Sequence, residues 1–125
     1  MSAPHDGGQA FATRWAEAWN RRDVEAVLAD FHDDVVFTSP TALAVVGTPR
    51  VHGKDALRAY WNTALARIGS LRFVVDRALW DPVSRELAII YTADIDGKSR
   101  RVSENLTFDE SGRVKAAEVF HGVPA

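Results

Sequence analysis

Apolar side chains along this chain follow two different spacings, and the change from one to the other divides the molecule. Phe11, Trp15, Ala18 and Trp19 recur at i, i+4, i+7 and i+8, which predicts an amphipathic helix from about Gln9 to Asn20. Asn20-Arg21-Arg22-Asp23 breaks the pattern, and Asp23 is placed to cap a second helix bearing Val24, Val27, Leu28 and Phe31. His32-Asp33-Asp34 ends that helix, and the β-branched and aromatic run Val35-Val36-Phe37-Thr38-Ser39 predicts a strand stopped by Pro40. Helical spacing returns from Lys54 to Ile68. There Leu57, Tyr60, Trp61, Ala64, Leu65 and Ile68 share a face, and Gly69 stands where a left-handed C-cap is expected.

Beyond Gly69 the period drops to two. Strands are expected from Leu71 to Trp80, Glu86 to Ile95, Arg101 to Phe108 and Val114 to His121, with turns at Asp81-Pro82, Asp96-Gly97 and Asp109 to Gly112. Glu86 to Ile95 is nearly continuously apolar, as in a strand covered on both faces. Consecutive hairpins make a meander, so the expected fold is α+β, with three N-terminal helices packed on a curved, mostly antiparallel sheet. Thr41 to Gly53 is a long connection with an apolar middle. It reads as a lid or a short extra strand over a cavity, or as an edge element buried by a dimer partner.

Candidate chemistry enters at Arg101 to Phe108. Period two puts Val102, Glu104, Leu106 and Phe108 on one face, leaving Glu104 alone among apolar neighbours. A carboxylate taken out of water is paired, hydrogen-bonded or kept protonated, and any of these suits a pocket. The plain alternative is a strand-end acid that reaches solvent or pairs with an arginine. The turn at Asp109 to Arg113 leaves two registers open. In one, Ala117, Val119 and His121 share the face of Glu104; in the other, Glu118 confronts it as a like charge.

Composition narrows the classes. The 125 residues are expected to form a flexible lead over 1–8 and one domain over 9–125. Cys is absent, compatible with a cytoplasmic protein, and a formal charge of −2 offers no basic footprint for nucleic acid. The opening residues do not resemble a signal peptide, and no apolar run approaches the roughly 20 residues of a membrane span. His5, His32 and His52 show no metal-ligand spacing, and there is neither a glycine-rich phosphate loop nor a Gly-x-Ser-x-Gly elbow.

Trp15 to Phe31 with Arg-Asp-Val-Glu-Ala, Asp33-Asp34-Val35-Val36-Phe37, Val51-His52-Gly53-Lys54 and Phe108-Asp109-Glu110-Ser111-Gly112-Arg113-Val114 occur in an order that resembles SnoaL-like proteins and steroid Δ-isomerases of the nuclear transport factor 2-like superfamily. The resemblance covers about Phe11 to His121 and implies a cone-shaped half-barrel, with helices closing one side of a pocket, in a homodimer paired through the outer sheet face. It places Ser39 where the isomerases carry a base aspartate, Trp15 where they carry a tyrosine donor, and Glu104 on their protonated acid. Serine cannot serve as a general base unaided, so steroid isomerisation by that mechanism is not expected. The resemblance also turns Trp19, Trp61, Leu65, Ile89, Tyr91 and His121 inward, and it favours the register that sets His121 on the face of Glu104.

Two readings of function result. The first is a cofactor-independent isomerase, dehydratase or cyclase acting on a small, largely apolar molecule. Glu104 and His121 would then form an acid/base pair, and Tyr91 would donate to a developing oxyanion. The second is a non-catalytic binding or dimerisation module, with Trp15, Trp19, Ser39, Trp61, Leu65 and Ile89 lining a ligand pocket.

Overall fold

The computed structural model describes residues 6–125, so residues 1–5 of the expected lead, His5 among them, lie outside the described residues. The described part of that lead is a turn. Asp6 accepts hydrogen bonds from the backbone N–H groups of Gly8 (3.0 Å) and Ala10 (2.8 Å), supplying the cap that Gly8 has no side chain to provide.

The elements are α1 (Gln9–Asn20), α2 (Val24–Leu28), β1 (Phe31–Thr38), α3 (Pro40–Val46), β2 (Arg50–His52), α4 (Lys54–Ala66), β3 (Leu71–Asp81), β4 (Glu86–Ile95), β5 (Lys98–Phe108) and β6 (Val114–Pro124). The six strands form one curved, unclosed sheet in the order β2-β1-β6-β5-β4-β3. Neighbours pair antiparallel except β1 with β6, which run parallel. Irregular pairing falls between Val75 and Arg77 in β3 and at two points along β5 and β6. Such interruptions bend strands, which lets the sheet curl around the helices.

Helix α1 covers the β3 edge with its own side chains. Asn20 accepts from the Phe73 N–H (2.7 Å) and donates to the Phe73 carbonyl (3.0 Å), while Gln9 donates to the Ala78 carbonyl (3.2 Å). Backbone groups that an open edge would expose are thereby paired. Asp23 caps α2 as expected, accepting from the Ala26 N–H at 3.0 Å. The Asp96-Gly97 turn has φ of 54° and 82° at its two central residues, the left-handed pair that a tight hairpin requires.

Several expectations are corrected. Among the described residues there are four helices, because the connection after Ser39 contributes α3, together with the short strand β2, one of the expected alternatives. Ser39 caps α3 by accepting from the Thr41 N–H (3.2 Å), and Pro40 occupies the first turn, where its missing N–H costs nothing. Phe31 begins β1 rather than ending α2, drawn out of helical geometry by pairing with Val114. Gly69 is not a left-handed cap; α4 ends at Arg67, and the Gly69 N–H goes instead to the Asp96 carboxylate at 2.8 Å. Strand β4 is not buried on both faces either. Leu87, Ile89, Tyr91 and Ala93 are buried, whereas the alternate residues Ala88, Ile90 and Thr92 are half-buried on the outer face.

Candidate functional site

The inner face of the sheet is filled at one end and hollow at the other. At the filled end Phe108 packs edge-on to Phe11 (centroids 5.4 Å) and Trp80 (5.6 Å), with Leu87, Ile89 and Leu106 fully buried beside it. Toward the other end of β4, Tyr91, Ala93 and Ile95 face a cavity of about 240 Å³. Glu104 marks the boundary. It is paired across the sheet with Ile89 in the packed core and also lines the cavity, so its carboxyl forms part of the floor.

This placement follows from strand alternation. In β5, Val102, Glu104, Leu106 and Phe108 are all buried, with Glu104 only 4% exposed. Opposite them in β6 stand His121, Val119 and Ala117, the register that keeps Glu118 off this face. The Tyr91 hydroxyl donates to Glu104 Oε1 at 3.3 Å, a long contact that holds the carboxyl only lightly. Glu104 Oε2 is buried without a partner. Burial pushes the Glu104 pKa from 4.5 up to about 7, against the opposing effect of the Tyr91 hydrogen bond. Near neutrality the protonated and the ionised carboxyl are therefore both accessible. Burial, reinforced by the Glu104 charge, pushes Tyr91 well above the ordinary phenol range, so it remains a donor.

Helices and β1 close the cavity. Trp19 and Trp61 meet edge to face (4.8 Å, 83°) and both line it, joined by Leu65 of α4 and by Ser39 at the end of β1. The indole N–H of Trp19 is buried without an acceptor. From α3, Thr41 and Val45 face the cavity while Leu43 and Val46 are exposed, so this segment forms part of the wall. At the mouth stand Arg67 and His121, both exposed on one side.

Of the residues expected at the site, the structure brings Glu104, Tyr91, His121, Ser39, Trp19, Trp61 and Leu65 around one cavity. Trp15 and Ile89 are excluded. Trp15 lies behind the wall, stacked on Phe73 (5.5 Å) and edge-on to Tyr91 (5.0 Å), because its place on α1 turns it toward the body of the sheet. Ile89 sits in the filled end. His121 and Glu104 share the cavity without a hydrogen bond between them. His121 opposes Val102 and is thus a diagonal neighbour of Glu104, at a separation of roughly 7–8 Å for such pairs. Burial, with a smaller contribution from Arg100, lowers the His121 pKa and favours the neutral imidazole.

Tyr60 was not among the expected site residues, although its place on the apolar face of α4 was legible. Its hydroxyl-bearing ring lines the cavity, and burial pushes its pKa up to about 12 against the opposing effect of the Ser39 side chain, with Glu104 adding to the rise. Both tyrosines of the chain therefore serve one cavity. The signal that could have found Tyr60 is a hydroxyl on a stripe of otherwise apolar residues. Among the described residues, no group of three or more His, Asp or Glu side chains assembles that could hold a metal ion. No helix among them is long and apolar enough to cross a membrane.

A model of the SnoaL-like domain matches residues 12–120. Among solved structures, a SnoaL-like protein of unknown function from Burkholderia thailandensis E264 is similar over 98% of this chain and 100% of its own, at 28% identity and a TM-score of 0.86. A nuclear transport factor 2-like protein of unknown function from Burkholderia pseudomallei K96243 aligns over 98% of this chain and 92% of its own, with 23% identity and a TM-score of 0.77. TerC, co-crystallised with polyporic acid, shares the fold at 15% identity and a TM-score of 0.75, over 90% of each chain. No curated protein matches.

Proposed function

We propose that this chain, which belongs to the SnoaL-like domain family, binds a small, largely apolar molecule bearing an acceptor oxygen and catalyses cofactor-independent proton transfer on it. The observation that carries this reading is the unpartnered Oε2 of Glu104, buried at the floor of an apolar cavity. A buried polar atom left without a partner is costly, and a ligand carbonyl accepting from the protonated carboxyl removes that cost. Trp19, which also lines the cavity, carries a second buried donor without a partner, its indole N–H. A volume of about 240 Å³ lies below the roughly 300 Å³ at the low end for ligand pockets, so one or two rings fill it.

In this scheme Glu104 is the general acid, Tyr91 steadies it and shares the charge left behind, and neutral His121 is the base. The gap between Glu104 and His121 is the space the substrate occupies. The His121 imidazole removes a proton from the carbon next to a ketone while Glu104 protonates the oxygen, giving an enol, an imidazolium and a carboxylate. From a β,γ-unsaturated ketone the enol is a dienol, and return of the imidazolium proton to its γ-carbon, with the enol proton going back to Glu104, isomerises the substrate. Where the β-carbon bears a leaving group, the imidazolium protonates that group as it departs and the enol proton returns to Glu104, the corresponding lyase step. Ser39, Trp61 and Leu65 shape the cavity. Ser39 stands where the resemblance implies a carboxylate base, so steroid isomerisation by the family mechanism is not proposed.

The test uses α-proton exchange of 2-tetralone in D₂O, followed by NMR. The wild-type protein is expected to accelerate exchange, and Glu104→Gln and His121→Ala each to remove most of that acceleration with the fold intact. If the protein binds 2-tetralone without accelerating exchange, the chain is a non-catalytic binder, the reading that serine at position 39 favours. The same family membership supports a homodimer through the outer sheet face. Exposed Val74, Leu79 and Phe120 offer apolar area there, and sedimentation equilibrium would read the mass.

A further inference from the structure

Inside the cavity the walls are largely apolar, and the ionisable side chains that line its mouth are basic. Arg67 at the end of α4 and His121 on β6 line it directly. Arg100 of β5 lies two residues before Val102 on the same inward-facing row, pairs with Ala93 of the cavity wall, and is close enough to His121 to influence its titration. Among the described residues the side chains of Arg67 and Arg100 make no ion pair or hydrogen bond.

The acids of the neighbouring hairpin are engaged by partners other than these arginines. Asp96 accepts from the N–H groups of Gly69 and Ser70, both at 2.8 Å. Asp94, on the outer face, accepts from the Gly97 N–H (3.1 Å) and the Ser99 hydroxyl (3.1 Å). Glu104 is the one carboxyl in the lining, and it lies at the floor.

Two guanidinium groups without a protein partner, Arg67 in the lining and Arg100 beside it, match a ligand that is apolar along its body and negative at one end. We infer that the cavity takes a small aromatic or alicyclic carboxylic acid, its carboxylate at the mouth against Arg67 and Arg100 and its far end, bearing an oxygen, against Glu104. This rests on the pocket reading above and adds the ligand's charge and orientation. Arginine suits the task because its planar fork meets a carboxylate with two parallel donors. The opposite orientation would bury the ligand carboxylate at the apolar floor with no cation to pair it, a costly desolvation.

The experiment compares 6-hydroxy-2-naphthoate with 6-hydroxy-2-naphthamide, which share shape and differ in charge, by titration calorimetry at low salt. The naphthoate is expected to bind about fivefold tighter, the upper range for a solvent-accessible ion pair. In the Arg67→Gln, Arg100→Gln double variant, and in wild-type protein at high salt, the ratio is expected to fall to about one. Equal affinities in the wild type, or a ratio that survives the double substitution, overturn the inference and leave the pocket reading standing. If neither compound binds, the pocket reading fails and this inference with it.

Discussion

Glu104 ties the stability of the whole fold to pH, and replacing it with glutamine isolates that link. In the unfolded chain the carboxyl ionises near its ordinary 4.5, whereas burial holds it to about 7 in the folded protein. Below the lower value both states carry the proton, and this group contributes no pH dependence. Between the two the unfolded state has released a proton that the folded state still holds, so unfolding becomes easier as pH rises. Above about 7 both are ionised and the loss is complete. At roughly 1.4 kcal/mol per pKa unit, the full loss is about 3 kcal/mol. Glutamine keeps the shape but cannot ionise. Urea unfolding followed by circular dichroism, at steps from about pH 4.5 to about pH 8, gives the free energy for both proteins. Subtracting the curves cancels the other titrating groups, and the difference is expected to move by about 3 kcal/mol in favour of Glu104→Gln as pH rises. A difference that stays flat across that range refutes the claim that this acid is held neutral by burial.

Two further outcomes follow from the same packing. Tyr91→Phe removes the hydroxyl that favours ionised Glu104, so the fall in stability is expected to begin at the same pH but to continue to a higher one, with a larger total loss; a fall that ends at a lower pH in the same urea series contradicts the geometry. Phe108→Ala opens a void between Phe11 and Trp80 at the filled end and is expected to cost about 3–5 kcal/mol in chemical denaturation, with ligand affinity unchanged.

The features legible in the sequence are those that depend on local period. The bounds of α1, the four strands of the meander, the Asp96-Gly97 turn and the inward face of Glu104 all follow from spacing of 3.6 or two. What escaped depends on depth and on distant partners. Val24, Val27, Leu28 and Phe31 satisfy helical spacing perfectly well, but the pairing of Phe31 with Val114 lies more than eighty positions along the chain and overrides it. Trp15 and Trp19 lie on one stripe, and only the angle at which α1 crosses the sheet decides which of them meets the cavity. Alternation likewise puts Ile89 and Tyr91 on one face without saying where packing stops and hollow begins. Helix α3 was legible in principle, since Ser39-Pro40 is a cap followed by a first-turn proline.

The parallel pairing of β1 with β6 bears on how the protein is made. Those two strands lie at opposite ends of the element order yet sit side by side in mid-sheet. During synthesis the β3-β4-β5 ribbon can assemble from neighbours as they emerge, but β1, with only three-residue β2 beside it, must wait for the last strand to leave the ribosome. Long-range closure of this kind slows folding and leaves a strand edge open in the meantime. Nascent chains stalled before Val114 should therefore be the species that chaperones hold and that aggregate when chaperones are scarce.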